Sequence, residues 1–242
     1  MEHIDLALTQ RLSAFAMLTA DDRKRLSDTV LRSARWFAPR QEILSEGERP
    51  QFVHAVIDGW AVATKQLVDG RRQIVNILLP GDLCATNIFL PKRADHAVSA
   101  LTHARVAFIG ATEFQVMMAA SPRIAQAFWW NELSGASIQR EWMTSLGQRN
   151  AYERIAHLLC ELYTRLQVVN MAARGECEFP VTQNDLADAT GLTPVHVNRT
   201  VQQLRQDGLI SLHDKKLVLH DIDRLAIAGL FNPAYLHLDR GR

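Results

Sequence analysis

The stretch PVTQNDLADATGLTPVHVNRTVQQLRQDGLI, residues 180–210, constrains the fold more than any other part of the chain. Thr182 can cap a short helix, and Gly191 permits a tight turn because glycine reaches positive φ without a steric cost. Thr193-Pro194 then supplies a second cap followed by proline at the first helical position. The order predicts a helix, a turn and a second helix.

The second predicted helix has two unlike sides. At 100° per residue, Val197, Val201 and Leu204 share one side, which we expect to be buried. The other side carries one arginine, planar amides and one apolar residue: Val195, Asn198, Arg199 and Gln202. Arginine can bond bidentately to guanine and amides to adenine, while a valine methyl can contact the thymine methyl. This side therefore predicts a surface that reads DNA bases.

Residues at the helix starts predict contacts to the DNA backbone. Thr182, Gln183 and Thr193 can donate to phosphate oxygens, helped by the helix dipole, and His196 is expected to be a polar surface or phosphate contact. The segment SLHDKKLVLH, residues 211–220, alternates in polarity and predicts a hairpin whose basic tip, Lys215, contacts phosphate. The prediction is a winged helix-turn-helix, and the open alternative is a small helical hairpin with a polar outer face.

In the first half of the chain, the pattern of apolar residues changes from that of helices to that of short strands. Residues 4–34 read as helical, with Thr19 as a helix cap. Four β-branched runs follow, at residues 53–57, 60–68, 72–79 and 104–109. Asp58-Gly59 and Asp69-Gly70 separate successive runs and predict hairpins. About six to eight short strands predict a compact roll, so the fold class is α+β. Residues 171–179 read as a loop.

A helical period returns at Pro122 and lasts to about Val169. Positions spaced alternately by four and three residues form a seam that predicts contact with a partner helix: Ile124, Phe128, Asn131, Gly135, Ile138, Trp142 and Ser145. A single amphipathic helix lying on its own roll is the open alternative. Asn150 is the candidate hinge. The predicted domains are a sensing roll at residues 1–120, a dimerisation helix at 121–149 and a winged module at 150–242.

Composition excludes several classes of protein. With 27 Lys+Arg against 26 Asp+Glu, the net charge of +1 gives no bulk basicity, so any DNA prediction must come from local geometry. The three cysteines are unclustered, which argues against a disulfide scaffold or a zinc ribbon. No apolar run approaches the ~18 residues of a membrane span, and no signal peptide is evident. We therefore expect a cytoplasmic protein that does not enter a membrane.

Four motifs, in this order along the chain, resemble the CRP/FNR family of transcription regulators. They are FAPRQEILSEGE (37–48), VIDGWAVATKQLVDGRRQIVNILLPGD (56–82), RIAHLL (154–159) and GLTPVHVNRTVQQLRQDGLI (191–210). The resemblance covers roughly residues 15–230. It implies a cyclic-nucleotide-binding-like jelly roll, a long dimerisation helix and a winged helix-turn-helix. It also implies a homodimer on palindromic double-stranded DNA, with contact to RNA polymerase as a family expectation and no enzymatic activity. Arg199 falls where the family places its base-reading arginine, whereas Val195 replaces a base-reading glutamate.

The same resemblance locates an effector pocket that departs from the pattern of the cyclic-AMP binders. Those members follow the PGD motif with Gly-Glu and later Arg-Ser, whereas here Ala85 and Thr86 stand at the first pair and Ala94 and Asp95 at the second. Without a cationic donor a cyclic phosphate would lack a charge-assisted partner, so cyclic AMP binding in the usual mode is not expected. Arg93 could substitute if the loop shifts.

Cys84 is the last candidate of this pocket. Its thiol is either a sensing group or a small buried hydrophobe. The effector and any cofactor stay unknown, and the cysteine-free N-terminus predicts no iron–sulfur cluster. His54, His96 and His103 do not have the spacing of a metal-binding roll.

The alternative function is a cupin-like or ligand-binding roll whose winged helix docks protein instead of DNA. Such an enzyme needs a metal triad or a nucleophile with its base, and the sequence offers neither.

Overall fold

The computed structural model describes residues 6–85 and 93–238. Two helices come first, α1 (Ala7–Ser13) and α2 (Ala20–Arg32). Thr19 caps α2 as predicted, because its side chain accepts from the Asp22 N–H and the Asp22 side chain accepts from the Thr19 N–H. Within the described residues, no helix combines the length and apolar character needed to cross a membrane.

In the described part of the chain, eight strands follow and form the roll. They are β1 (Ala34–Phe37), β2 (Glu42–Leu44), β3 (Phe52–Asp58), β4 (Ala61–Gln66), β5 (Arg72–Leu78), β6 (Leu83–Ala85), β7 (Ala97–Ala100) and β8 (Ala104–Gly110). The strands pair antiparallel in two four-stranded sheets, one in the order β1-β8-β3-β6 and the other in the order β2-β7-β4-β5. The predicted roll of six to eight strands is therefore confirmed.

The two Asp-Gly pairs have different outcomes. Asp69-Gly70 joins β4 to its antiparallel neighbour β5, as predicted. Asp58-Gly59 joins β3 to β4, which lie in different sheets, so the predicted hairpin there is wrong. Gly59 is still required, since a Cβ on it would lie 2.1 Å from the carbonyl oxygen of His103. The dipeptide makes a sharp crossing between sheets where two backbones approach closely.

Three helices lead away from the roll: α3 (Ala111–Ala120), α4 (Pro122–Gln148) and α5 (Ala151–Val168). The sequence prediction missed α3, which follows β8 directly. The predicted continuous helix breaks at Arg149 and Asn150, and Asn150 caps α5 by accepting from the Glu153 N–H at 3.0 Å. The candidate hinge residue therefore lies at a real joint between two helices.

The predicted partner-facing seam of α4 packs inside the chain. Ile124 and Phe128 are buried against the N-terminal helices and the roll, and Ile138 and Trp142 are buried against the roll and α5. Gly135 is half-buried and lines a cavity of the roll. The assignment of this seam to a partner is therefore wrong. The open alternative, a helix lying on its own roll, describes this side of α4.

Together with α5, the remaining elements form the winged module. They are β9 (Ala172–Ala173), β10 (Glu176–Glu178), α6 (Gln183–Thr190), α7 (Pro194–Gln206), β11 (Ile210–His213), β12 (Lys216–Leu219), α8 (Ile222–Ala228) and a 3-10 helix (Pro233–Leu236). The strands form one sheet in the order β11-β12-β10-β9, so residues 171–179 are a hairpin and not the predicted loop. One hydrophobic core joins module and roll, where the Trp60 and Phe179 rings meet edge to face at 6.0 Å.

Candidate DNA-binding interface

The helix-turn-helix is built from local signals. Thr182 caps α6, Gly191 ends it with φ of 64°, and Pro194 occupies the first turn of α7. The Thr193 hydroxyl accepts from the His196 N–H at 3.2 Å, which satisfies one of the free donors at the start of α7. These residues fix the relative position of the two helices.

The two sides of α7 have the predicted burial. Val197, Val201 and Leu204 are buried in the core of the module. Val195 is 73% exposed, and Arg199 and Gln202 are also exposed. Across the described residues, the structure gives the Arg199 guanidinium no hydrogen bond or ion pair. The donors of this side chain therefore remain available to an external acceptor.

A side-chain hydrogen bond ties the start of α6 to α7. The Asn198 Nδ2 donates to the Gln183 Oε1 at 3.2 Å. Each of these two residues thus holds the other in place, and the amide nitrogen of Gln183 is left to donate outward. Gln183 and Asn198 therefore lie next to each other, one at the predicted phosphate surface and one at the predicted base-reading surface.

Thr182 is a helix cap and not a phosphate contact. Its hydroxyl and its backbone N–H both donate to the Asp185 Oδ2, at 2.5 and 3.1 Å. A phosphate oxygen requires a donor, and Thr182 has none left. The predicted role of this residue is corrected for that reason.

The wing is the hairpin of β11 and β12. Asp214 and Lys215 turn the chain with φ of 49° and 60°, the two positive values of a type I′ turn. Lys215 is exposed and borders a cavity of about 860 Å³ between the roll and the module, together with Arg40 and Trp60. The predicted basic tip is therefore present, and it lies at the mouth of this cleft.

Arg72 of β5 ties the roll to α6, which sequence reasoning missed. Its Nε donates to Asp188 Oδ2 at 2.8 Å, and its Nη2 lies 3.3 Å from Asp185 Oδ1. The neighbouring Gln73 donates to the Ala189 carbonyl at 3.3 Å. Arg72 follows a hairpin turn, where a charged residue is ordinarily solvated, so no local signal could have found this contact.

A second cavity, of about 950 Å³, lies between the roll and α4, and two of the residues predicted for the effector pocket line it. Cys84 and Asp95 line it. Arg93 is exposed, and its Nη1 donates to the Gly47 carbonyl at 2.9 Å, so it does not supply the missing cation. Ala85 ends β6 beside Cys84. Thr86 lies outside the described residues.

The electrostatics of this cavity do not favour a phosphate. A hydrogen bond from His96, at 2.7 Å, holds the pKa of Asp95 below its ordinary value, so Asp95 is ionised. Among the described residues that line the cavity, Lys65 is the one lysine or arginine. The Lys65 ammonium is bound to the Glu46 carboxylate and the Asp95 carbonyl. Burial raises the pKa of the Cys84 thiol, which therefore stays protonated.

An exposed seam runs along α4 on the side opposite the buried Ile138. It has the 3-4 spacing of a coiled-coil interface: Gln126, Trp129, Leu133, Ala136, Arg140, Met143 and Gly147. Trp129 is 68% exposed and Met143 is 67% exposed. Large apolar side chains repeated along an exposed helix side are typical of a protein interface.

Comparison with known proteins identifies both halves of the chain. Residues 34–121 match the family model of the cyclic nucleotide-binding domain, and residues 153–227 match that of the Crp-like helix-turn-helix domain. The transcriptional activator protein FnrL of Cereibacter sphaeroides is 33% identical over 79% of this chain and 78% of its own length. The nitrogen fixation regulation protein FixK of Azorhizobium caulinodans is 31% identical over 84% and 82%.

A solved structure agrees with these sequence relatives. The structure of FixK2 from Bradyrhizobium japonicum superimposes with a TM-score of 0.72 at 26% identity, covering 81% of this chain and 96% of that one. The similarity therefore extends over the roll, the long helix and the winged module together.

Proposed function

The chain belongs to the CRP/FNR family of transcription regulators, and we propose from this membership that a symmetric homodimer places two copies of α7 in successive major grooves of a palindromic site. Regulators of this family bind DNA as dimers and are not enzymes. A two-fold axis presents two identical reading heads, so the half-sites lie about one helical turn apart. The unpartnered Arg199 on the exposed side of α7 is the observation that carries the proposal.

The base contacts follow from the chemistry of the exposed side of α7. Arg199 is proposed to bond guanine through O6 and N7, with Gln202 at an adjacent base. Val195 has no acceptor for a cytosine amine, and its methyl groups fit a thymine methyl instead. Thr193, Gln183, His196 and Lys215 are proposed to contact phosphates, which contributes affinity without sequence information. Asn198 keeps its carbonyl oxygen, which can accept from a base amine, and its second amide hydrogen, which can donate to a phosphate.

The exposed seam of α4 is proposed as the contact between protomers. Trp129, Leu133 and Met143 repeat with coiled-coil spacing and are exposed. Arg140 stands in the same seam, where a polar residue can set the register of two helices. The residues proposed for the dimer are therefore different from the seam predicted on sequence, although the helix is the same.

We also propose that the cavity between the roll and α4 binds a small-molecule effector, whose identity the structure does not specify. The cavity of about 950 Å³ is large enough for a small molecule. An ionised Asp95 and a lysine already engaged by Glu46 argue against cyclic AMP in its usual mode. From family membership alone, we also propose that the bound dimer contacts RNA polymerase. FnrL is named a transcriptional activator, which supports activation as the outcome.

Selection of bound DNA from a random pool, with purified wild-type dimer, tests the proposal. The expected product is a palindrome with a fixed half-site spacing. Arg199→Ala should lose about 1–3 kcal/mol of discrimination and relax the preference at one base pair of each half-site. Arg205→Ala is the matched control, because it removes the same charge from the same helix about 120° away.

Arg205→Ala should select the same DNA sequence as the wild-type protein. If Arg199→Ala also selects that sequence with unchanged stringency, α7 does not read bases through this residue. A binding constant that barely changes with salt concentration would contradict phosphate contacts altogether.

A further inference from the structure

A segment that follows the wing returns to the long helix. This strap, Gly229–Leu238, leaves the end of α8 and runs back onto α4. The Ser134 Oγ of α4 donates to the Leu236 carbonyl at 3.0 Å, and the side chain of Leu236 is fully buried. The His237 ring lies 3.2 Å from the Ser137 Oγ. The strap therefore contacts α4 although it belongs, by chain order, to the winged module.

Tyr235 anchors the strap on α5. Its hydroxyl donates to the Glu161 Oε2 at 2.9 Å, and its ring stacks on the His157 ring at 5.8 Å between centroids. Burial raises the pKa of Tyr235 far above its ordinary value, so the hydroxyl keeps its proton and remains a donor. A hydroxyl that donates to a buried carboxylate makes one of the stronger kinds of hydrogen bond in proteins.

Glu161 connects the strap to the rest of the molecule. This carboxylate is fully buried and accepts from the Trp142 Nε1 of α4 at 3.0 Å and from the Arg165 Nη1 of α5 at 3.0 Å. Arg165 in turn bonds Asp82 of the roll at 2.6 Å. The strap, α4, α5 and the roll thus meet at one set of buried charges.

The strap also crosses the joint between α4 and α5. The Arg149 Nη2 donates to the Glu141 Oε1 at 2.6 Å and to the Leu230 carbonyl of the strap at 3.3 Å. Rotation of the module about Arg149 and Asn150 would pull the strap off α4. Such a rotation would therefore break the hydrogen bond between Ser134 and Leu236 together with the one between Arg149 and Leu230.

We propose that the strap fixes the orientation of the winged module relative to α4, with Tyr235 and Ser134 as its two anchor residues. The proposal rests on the proposed function, because that orientation sets the distance between the two reading heads of the dimer. Both anchors are positioning residues that do not contact DNA. Loss of either anchor increases the population in which the joint at Arg149 is open.

Cleavage by trypsin after Arg149 measures that population in the full-length protein. The Arg149 side chain is 9% exposed, so the protease requires the joint to open. Tyr235→Phe keeps the ring and removes the anchoring hydroxyl. Tyr152→Phe is the matched control, because the Tyr152 hydroxyl donates to Asp207 at 2.6 Å entirely within the winged module.

Tyr235→Phe should raise the rate of appearance of the fragment that begins at Asn150 by about tenfold to a hundredfold, the factor that a hydrogen bond to a charged group represents. Ser134→Ala, which removes a neutral hydrogen bond at the other end of the strap, should raise it several-fold. Tyr152→Phe should leave it at the wild-type value. Ser134→Ala changes little volume and carries the test if Tyr235→Phe folds poorly.

Equal rates for Tyr235→Phe, Ser134→Ala and Tyr152→Phe would overturn the proposal. The protease experiment contains no DNA, so it decides the role of the strap whether or not the wild type selects a palindrome. Conversely, a palindrome selected by the wild type supports the proposed function even if the three variants are cleaved alike.

Discussion

Replacement of Arg165 by methionine tests the buried charges that join the roll to the winged module. The guanidinium is 2% exposed and donates to the Asp82 carboxylate, the Glu161 carboxylate and the Ile77 carbonyl. Arg11 is the second cation of the set and lies 3.6 Å from Asp82. Two buried cations therefore balance two buried anions. Arg165→Met leaves one of the anions without a partner.

The expected cost of this change is large. Removing one partner of a buried ion pair destabilises a protein by about 3–5 kcal/mol, because the remaining charge is buried without compensation. Whole domains are stable by only about 5–15 kcal/mol, so this single substitution should remove a substantial part of the stability. Arg71→Met is the matched control. Arg71 is 77% exposed and pairs with Asp69, so its loss should cost under ~0.5 kcal/mol.

A second substitution separates charge balance from packing. Glu161→Gln combined with Arg165→Met restores the balance, since Arg11 and Asp82 then remain as one cation and one anion. The double variant should be more stable than Arg165→Met alone, with a coupling of about 2–3 kcal/mol between the two positions. Simple loss of packing would instead make the two effects additive.

Urea unfolding, followed by tryptophan fluorescence and by circular dichroism, gives the free energies for this cycle. Coincident transitions from the two probes are required before one free energy of unfolding is assigned to the chain. The reasoning is refuted if Arg165→Met costs no more than Arg71→Met. It is equally refuted if the double variant is the sum of its two single variants.

Two further predictions concern acid stability and dimerisation. Burial lowers the pKa of His54 and of His157 to about 4, so the unfolded chain binds more protons between about pH 6.5 and pH 4. The free energy of unfolding should therefore fall as the pH drops through this window, by about 1 kcal/mol per histidine and pH unit, and unchanged urea midpoints would contradict this. Leu133→Lys should weaken dimerisation about a hundredfold, since two leucines worth ~1.5 kcal/mol each leave the interface. Sedimentation measures this, and Val116→Lys, on the exposed side of α3, should have no effect.

The helix-turn-helix could be predicted because its signals are local. Thr182, Gly191 and Thr193 each act within about four residues of their own position, through a cap or a positive φ. The stripe of Val197, Val201 and Leu204 is set by the helix period itself. The exposed Arg199 follows from the same period. Nothing in the rest of the chain was needed to place these residues.

The side of α4 that meets a partner could not be predicted in the same way. Periodicity shows that a stripe exists but does not say which neighbour covers it. This helix has two apolar stripes, one containing Ile138 and the other containing Leu133, and the roll covers the first. The two Asp-Gly pairs differ for a related reason. The sheet that receives the next strand depends on pairing with residues distant in sequence.

The buried charges show the same limit most clearly. Glu161 and Arg165 stand four residues apart on α5, a spacing that on sequence indicates a solvated ion pair worth a few tenths of a kcal/mol. The structure places both side chains in the core, because Trp142, Tyr235 and Asp82, from three other parts of the chain, supply their remaining hydrogen bonds. Whether such an ion pair is buried depends on the residues that pack against it and not on the spacing of the pair. A charged pair at helical spacing therefore becomes a structural junction only when distant residues supply its remaining hydrogen bonds, and those residues carry no signal near the pair itself.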